Sequence, residues 1–159
     1  MSVTFTTTLG VNAAFLQEIK EENHELRDLL QRTANCFETL GPVTPCVRML
    51  AELLEQLRDQ FSLHFALEEA FGYFDDAVSV APRLSITAER LREEHRVLFV
   101  EVCSLAEAAE RFVYREPSDR NLERIGHRWA TFYHRFLEHE SQEAELMLAA
   151  FDDDIGVGD

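Results

Sequence analysis

Two segments of this chain carry the same arrangement of ionisable side chains. His64 is followed four residues later by Glu68, and His139 is followed four residues later by Glu143. On an α-helix that spacing sets the imidazole and the carboxylate on one face, one turn apart. An aromatic residue, Phe61 or Phe136, stands three positions before each His, so each pair continues an apolar stripe instead of a solvated face. A carboxylate in a core is costly unless something compensates its charge. Divalent iron would do so, binding imidazole nitrogens and carboxylate oxygens and offsetting their desolvation. A third His, His95, interrupts the stripe Leu91, Leu98, Val102, Leu105 in the same way.

These residues need helices to position them, and the chain supplies few interruptions. Gly41-Pro42 is the first break, and Thr44-Pro45 reads as an N-cap followed by Pro at the first helical position. A second break is expected from Asp75 to Leu84, with Ser85 or Thr87 capping the next run, and Glu116-Pro117 is the third, with Ser118 as the cap. Helices are therefore expected over about 12–40, 45–74, 87–115 and 118–150. Short loops between four long helices predict an all-α, antiparallel up-down-up-down four-helix bundle. An N-terminal arm (1–11) would precede the bundle (12–151), and an acidic tail (152–159) would follow it. The apolar stripes agree: Leu50, Leu54, Leu57, Phe61 and Phe71 in the second helix, and Ile125, Trp129, Phe132, Phe136 and Leu146 in the fourth. No sustained period-2 alternation argues for strands.

Depth along the bundle gives an independent test of the pattern. His95 lies 20 residues before Arg115, and His139 lies 21 residues after Ser118. At about 1.5 Å per residue those levels coincide within a turn. Glu22 to His24 and His64 match one another in the same way across the first break. All the inward polar groups are thus expected in one layer.

The 159 residues suffice for one domain, and the apolar (46%) and charged (28%) fractions are those of a globular chain, not a disordered one. A net charge of −15, with Lys20 the single lysine, opposes binding to nucleic acid or to an anionic membrane surface. No apolar run reaches the length of a bilayer span, and the N-terminus lacks the pattern of a secretory signal. Three cysteines, Cys36, Cys46 and Cys103, read as reduced thiols, and a cytoplasmic location follows as the expectation. No phosphate-binding Gly-rich loop, C-x-x-C pair or nucleophile elbow is present.

The segments Phe61-Ser62-Leu63-His64-Phe65-Ala66-Leu67-Glu68-Glu69, Arg92-Glu93-Glu94-His95 and His139-Glu140-Ser141-Gln142-Glu143 resemble the hemerythrin-like (HHE) cation-binding family. The resemblance runs from about Leu16 to Ala150. It implies a carboxylate-bridged, non-haem di-iron site, with Glu68 and Glu143 bridging and His64, His95 and His139 as terminal ligands. It also implies a small gaseous or peroxide ligand (oxygen, peroxide or nitric oxide) or the handling of iron, with ferritin-like redox chemistry favoured where Glu22 fills the first-helix slot.

The first helix departs from the family pattern, which has a His there. His24 is the obvious candidate, yet the apolar residues Phe15, Ile19, Leu26, Leu30 and Phe37 centre about 160–200° away from it at 100° per residue. Asn23 stands nearer the family slot, and Glu22 points inward better than either. A second His of the third helix is replaced by Leu91 or Phe99. Glu69 and Glu140 are expected to turn toward solvent, and His127 and His134 to lie on the surface. Rival readings are a metal-free regulatory bundle whose polar layer is held by Glu–His hydrogen bonds, and a mononuclear or zinc site. A homodimer is open under each.

Overall fold

The computed structural model describes residues 5–39, 44–70, 73–115 and 118–155, with side chains over 21–39, 46–70, 74–115, 118 and 120–150. Four long helices form the bundle: α1 (Phe5–Glu38), α2 (Thr44–Ala70), α4 (Ser85–Tyr114) and α5 (Asp119–Ile155), and no strand occurs among the described residues. Gly41-Pro42, Glu116-Pro117 and the stripe residue Phe71 lie outside the described residues. Ser118 caps α5 as expected, its Oγ accepting from the Asn121 N–H at 3.3 Å. α1 begins at Phe5, within the stretch expected to be an arm, and α5 runs on to Ile155.

The main difference lies between the second and third long helices. α2 ends at Ala70, and a short helix, α3 (Tyr73–Val80), occupies much of the expected break, followed by a 3₁₀ turn over Pro82–Leu84. Phe74, Ala77 and Ala81 have the spacing of one helical face, and all three are buried against Ala88, Leu91, Leu146 and Ala150. Asp75 and Asp76 occupy the first turn of α3, where the helix dipole favours acidic side chains. Arg92 donates to Asp75 at 2.9 Å and lies over the Phe74 ring, tying α3 to α4. α4 consequently starts at Ser85, with Leu84 at its N-cap and no side-chain cap hydrogen bond, so neither Ser85 nor Thr87 caps it.

The apolar core falls into two parts. The larger joins Leu26 and Leu30 of α1, Leu54, Leu57 and Phe61 of α2, Leu98 and Val102 of α4, and Trp129, Phe132 and Phe136 of α5. Phe61 sits at its centre, edge-on to Phe132 (5.4 Å between centroids) and Phe136 (4.8 Å). The smaller part is the α3 cluster. Between them lie the buried polar residues Glu22, His64, Glu68, His95, His139 and Glu143. Cys36, Cys46 and Cys103 are free thiols. No helix of the described residues is long and apolar enough to cross a membrane.

Candidate metal centre

Each imidazole of the polar layer is held between carboxylates. His95, on α4, turns Nε2 inward to Glu143 Oε1 (2.9 Å) and Glu68 Oε2 (3.1 Å), and Nδ1 outward to Glu69 (3.3 Å). His139, on α5, sets Nε2 2.9 Å from the same Glu143 oxygen and Nδ1 2.9 Å from Glu94. His64, on α2, sets Nδ1 2.8 Å from Glu22 Oε2 and Nε2 3.0 Å from both Glu68 Oε1 and Glu140 Oε1. The two oxygens of Glu68 therefore face imidazoles of different helices.

Aromatic rings fix the imidazole planes. Phe65 stacks on His95 at 4.2 Å with an interplanar angle of 16°, and Phe74 of α3 meets the same ring at 5.4 Å. The short helix that departs from the sequence expectation thus closes the site from below with an apolar cover.

The charge balance follows from this packing. Burial alone would lower the His64 pKa, but the carboxylates of Glu140, Glu22 and Glu68 outweigh it and push the value up to about 12. His95 is raised to about 9 against the same burial penalty by Glu143 and Glu68, and His139 is raised by Glu143 and Glu94. Burial works to raise Glu68, yet His64 and His95 hold it down at about 2. Without a cation, His64 and His95 pair with these carboxylates as imidazolium ions, and His139 is shifted in the same direction.

That pairing leaves two atoms unsatisfied. Glu68 Oε2 and His139 Nε2 are buried without a hydrogen-bond partner among the described residues, although each has an oppositely charged group within 3.1 Å. The groups are close enough to bond but are not aligned to do so. A buried polar atom left so is rare, and an ion is one of its ordinary explanations. Two groups of donors, all within 4.8 Å of one another, could each hold a metal ion: His95, His139 and Glu143, and His64, Glu68 and Glu140. Glu68 connects them, since its second oxygen faces His95. Imidazole and carboxylate donors of this kind suit iron and zinc. The acids on the outer nitrogens, Glu69, Glu94 and Glu22, would orient the rings and fix their tautomers.

The structure brings Glu22, His64, Glu68, His95, His139 and Glu143 into one contact network. His24 lies elsewhere: it is exposed in a groove with Asp28, Asp59 and Gln60. It lies two positions after Glu22, and 200° of helical rotation puts them on opposite faces. Glu22 is buried, but it meets the outer nitrogen of His64 and lies in neither donor group. Beside Glu68, the second acid at His64 Nε2 comes from α5. Glu140, expected to face solvent, follows His139 by 100° of rotation, so His139 faces α4 while Glu140 reaches α2. Glu69 is exposed, as expected, while one of its oxygens lies 3.3 Å from His95 Nδ1, and Glu94, to which the sequence assigned no role, reaches His139. The available signal was adjacency: each lies next in sequence to an inward polar residue. His127 and His134 are exposed.

The fold and this layer define a four-helix bundle built around a cation-binding His/Glu site. The sequence model of the hemerythrin HHE cation-binding domain matches residues 14–151, and the chain belongs to that family. No curated protein and no solved structure matches it significantly.

Proposed function

We propose that the chain is a non-haem di-iron protein that binds or senses oxygen, peroxide or nitric oxide. The observation that carries this reading is the position of Glu68, with one oxygen toward His64 and the other, unpartnered, toward His95. A carboxylate so placed is suited to join two cations. Irons held by the two donor groups would supply redox chemistry toward oxygen, peroxide or nitric oxide. Three imidazoles and three carboxylates are few ligands for two irons, which favours open coordination positions, and with them sensing or peroxide and nitric oxide chemistry over reversible oxygen storage. Phe65, Phe74 and Phe136 surround the imidazoles and exclude bulk water. Glu69, Glu94 and Glu22 hold the outer ring nitrogens and would set the inner ones for ligation.

The test is metal content by mass spectrometry after anaerobic ferrous loading, with an ultraviolet-visible spectrum after exposure to air. The expected result is about two irons per chain with near-ultraviolet absorption, both lost in His64→Ala. Protein that takes up no iron would overturn the proposal in favour of the metal-free bundle, and a single tightly held zinc would replace it with a mononuclear site.

A further inference from the structure

Two of the three cysteines meet where α1 ends and α2 begins. Cys36 is the third residue from the end of α1, and Cys46 is the third residue of α2. The Cys36 S–H donates to the Cys46 carbonyl at 3.7 Å. A carbonyl oxygen lies about 2.4 Å from its own Cα, so the Cys46 Cα stands within about 6 Å of that sulfur. Burial pushes the Cys36 thiol up, and the Cys46 thiol pushes it further the same way, so the two sulfurs share one environment. Cys103 does not share it. Half-buried on α4, its thiol is pushed up by burial and feels Arg58 and Asp59 of α2. Arg58 stands 12 residues beyond Cys46, about 18 Å along the helix.

The pair is asymmetric in access. Cys36 is 6% exposed and belongs to the larger apolar core, whereas Cys46 is half-buried. A small oxidant therefore reaches the Cys46 sulfur first, and burial keeps the Cys36 thiol protonated until a partner forms beside it. The backbone is also unequal on the two sides. Thr39 Oγ1 donates to the carbonyls of Asn35 and Cys36, which ties down the last turn of α1. The first turn of α2 has N–H groups without intrahelical acceptors, so it is the side that can adjust. A bridge needs the two Cβ atoms about 3.5–4.5 Å apart.

We propose that Cys36 and Cys46 are a dithiol oxidation site, which hydrogen peroxide converts to a disulfide joining the end of α1 to the start of α2. The Cys46 sulfur attacks one peroxide oxygen, the O–O bond breaks, and the other oxygen leaves as water with the thiol proton. A sulfenic acid remains on Cys46. The Cys36 sulfur then displaces its hydroxyl, which leaves as water with the Cys36 proton. Two thiols and one peroxide thus give one disulfide and two waters. The site goes beyond the di-iron reading and needs no metal, so it can be measured on metal-free protein, where a failed bridge and a failed metal centre are separate results.

The experiment treats reduced, chelator-stripped, natively folded protein with hydrogen peroxide, blocks remaining thiols with iodoacetamide after unfolding, and digests with trypsin. Cleavage after Arg32 and Arg48 leaves both cysteines in the single peptide 33–48, with no Lys or Arg between. That peptide is expected lighter by the two thiol hydrogens and unalkylated, while Cys103 is alkylated in full and the protein stays monomeric on a non-reducing gel. Dithiothreitol should restore both thiols. The bridge closes a loop between residues ten apart and should raise the thermal midpoint by about 5–10 °C over the reduced protein. Cys103→Ser should bridge as before. Cys36→Ala should stop at a Cys46 sulfenic acid that dimedone traps, which fixes the order of the two steps without relying on the bridged protein. A Cys46 that stays reduced, a bridge that involves Cys103 or a second chain, or a bridge that lowers the midpoint would overturn the proposal.

Discussion

Loading the centre with a divalent metal should release protons, and the amount can be worked out from the imidazole environments. At pH 7 the metal-free protein holds protons on His64, pushed up to about 12, and on His95, raised to about 9. A ring nitrogen must be neutral to ligate, so each proton has to leave when metal enters. For His95 the two-unit gap at pH 7 costs about 2.7 kcal/mol, or about a hundredfold in apparent affinity. Each competing proton also adds about a tenfold change in affinity per pH unit. Two such protons predict a hundredfold gain per unit from pH 6 to 8, or about 10⁴ over that interval, with His139 steepening it further because it too is raised. Above about pH 9 the His95 contribution ends and the slope declines. The assay is competition for Co(II) or Zn(II) against a chromophoric chelator across this range. Calorimetry in two buffers of different ionisation enthalpy counts the protons. An affinity that is flat with pH, or release of less than one proton per chain, would refute the imidazolium–carboxylate description of the layer.

Stability of the metal-free protein should have its own pH profile. The raised values of His64 and His95 contribute stability that is fully present below their ordinary 6.5 and is lost as pH rises through about 9 and then about 12. The lowered Glu68 contributes above its ordinary 4.5 and is lost as pH falls toward about 2. Thermal unfolding should therefore show its highest midpoint between about pH 4.5 and 6.5 and a decline by pH 10; a maximum at pH 9 or above would contradict this. Glu94→Gln removes the charge from the outer partner of His139 and should weaken metal binding by about 10–100-fold, whereas His24→Gln, on an exposed face, should leave metal content unchanged. Phe61→Ala empties the centre of the larger core and should cost about 3–5 kcal/mol in denaturant unfolding; a loss below 1 kcal/mol would show that Phe132 and Phe136 collapse into the space.

Much of the fold could be read from few signals. Gly41-Pro42, Pro82 and Glu116-Pro117 separate four amphipathic runs too long to be anything but bundle helices. The break after α2 was harder, because Asp75 and Asp76 have the composition of a loop. The same residues favour the first turn of a helix once Phe74, Ala77 and Ala81 have a surface to cover. That surface is formed by Leu91, Leu146 and Ala150, residues distant in sequence, so local propensity could not reveal α3.

The same division runs through the candidate site. Sequence alone determined that His64 and Glu68 share a face, that His139 and Glu143 share another, and that Glu22 and His24 cannot share one. Those relations depend only on the helical period. It also determined the common depth of the layer, which follows from residue counts between breaks. The tertiary structure decided which neighbour each group meets: Glu22 on the outer nitrogen of His64, Glu140 on its inner one, and Glu68 between two imidazoles. Those contacts depend on how far α5 is rotated about its axis and how widely it stands from α1, and both are set by packing around Phe61, Trp129 and Phe136. A rotation of one residue, 100°, separates a solvated glutamate from one that meets a buried imidazole, and no pattern within a single helix records it.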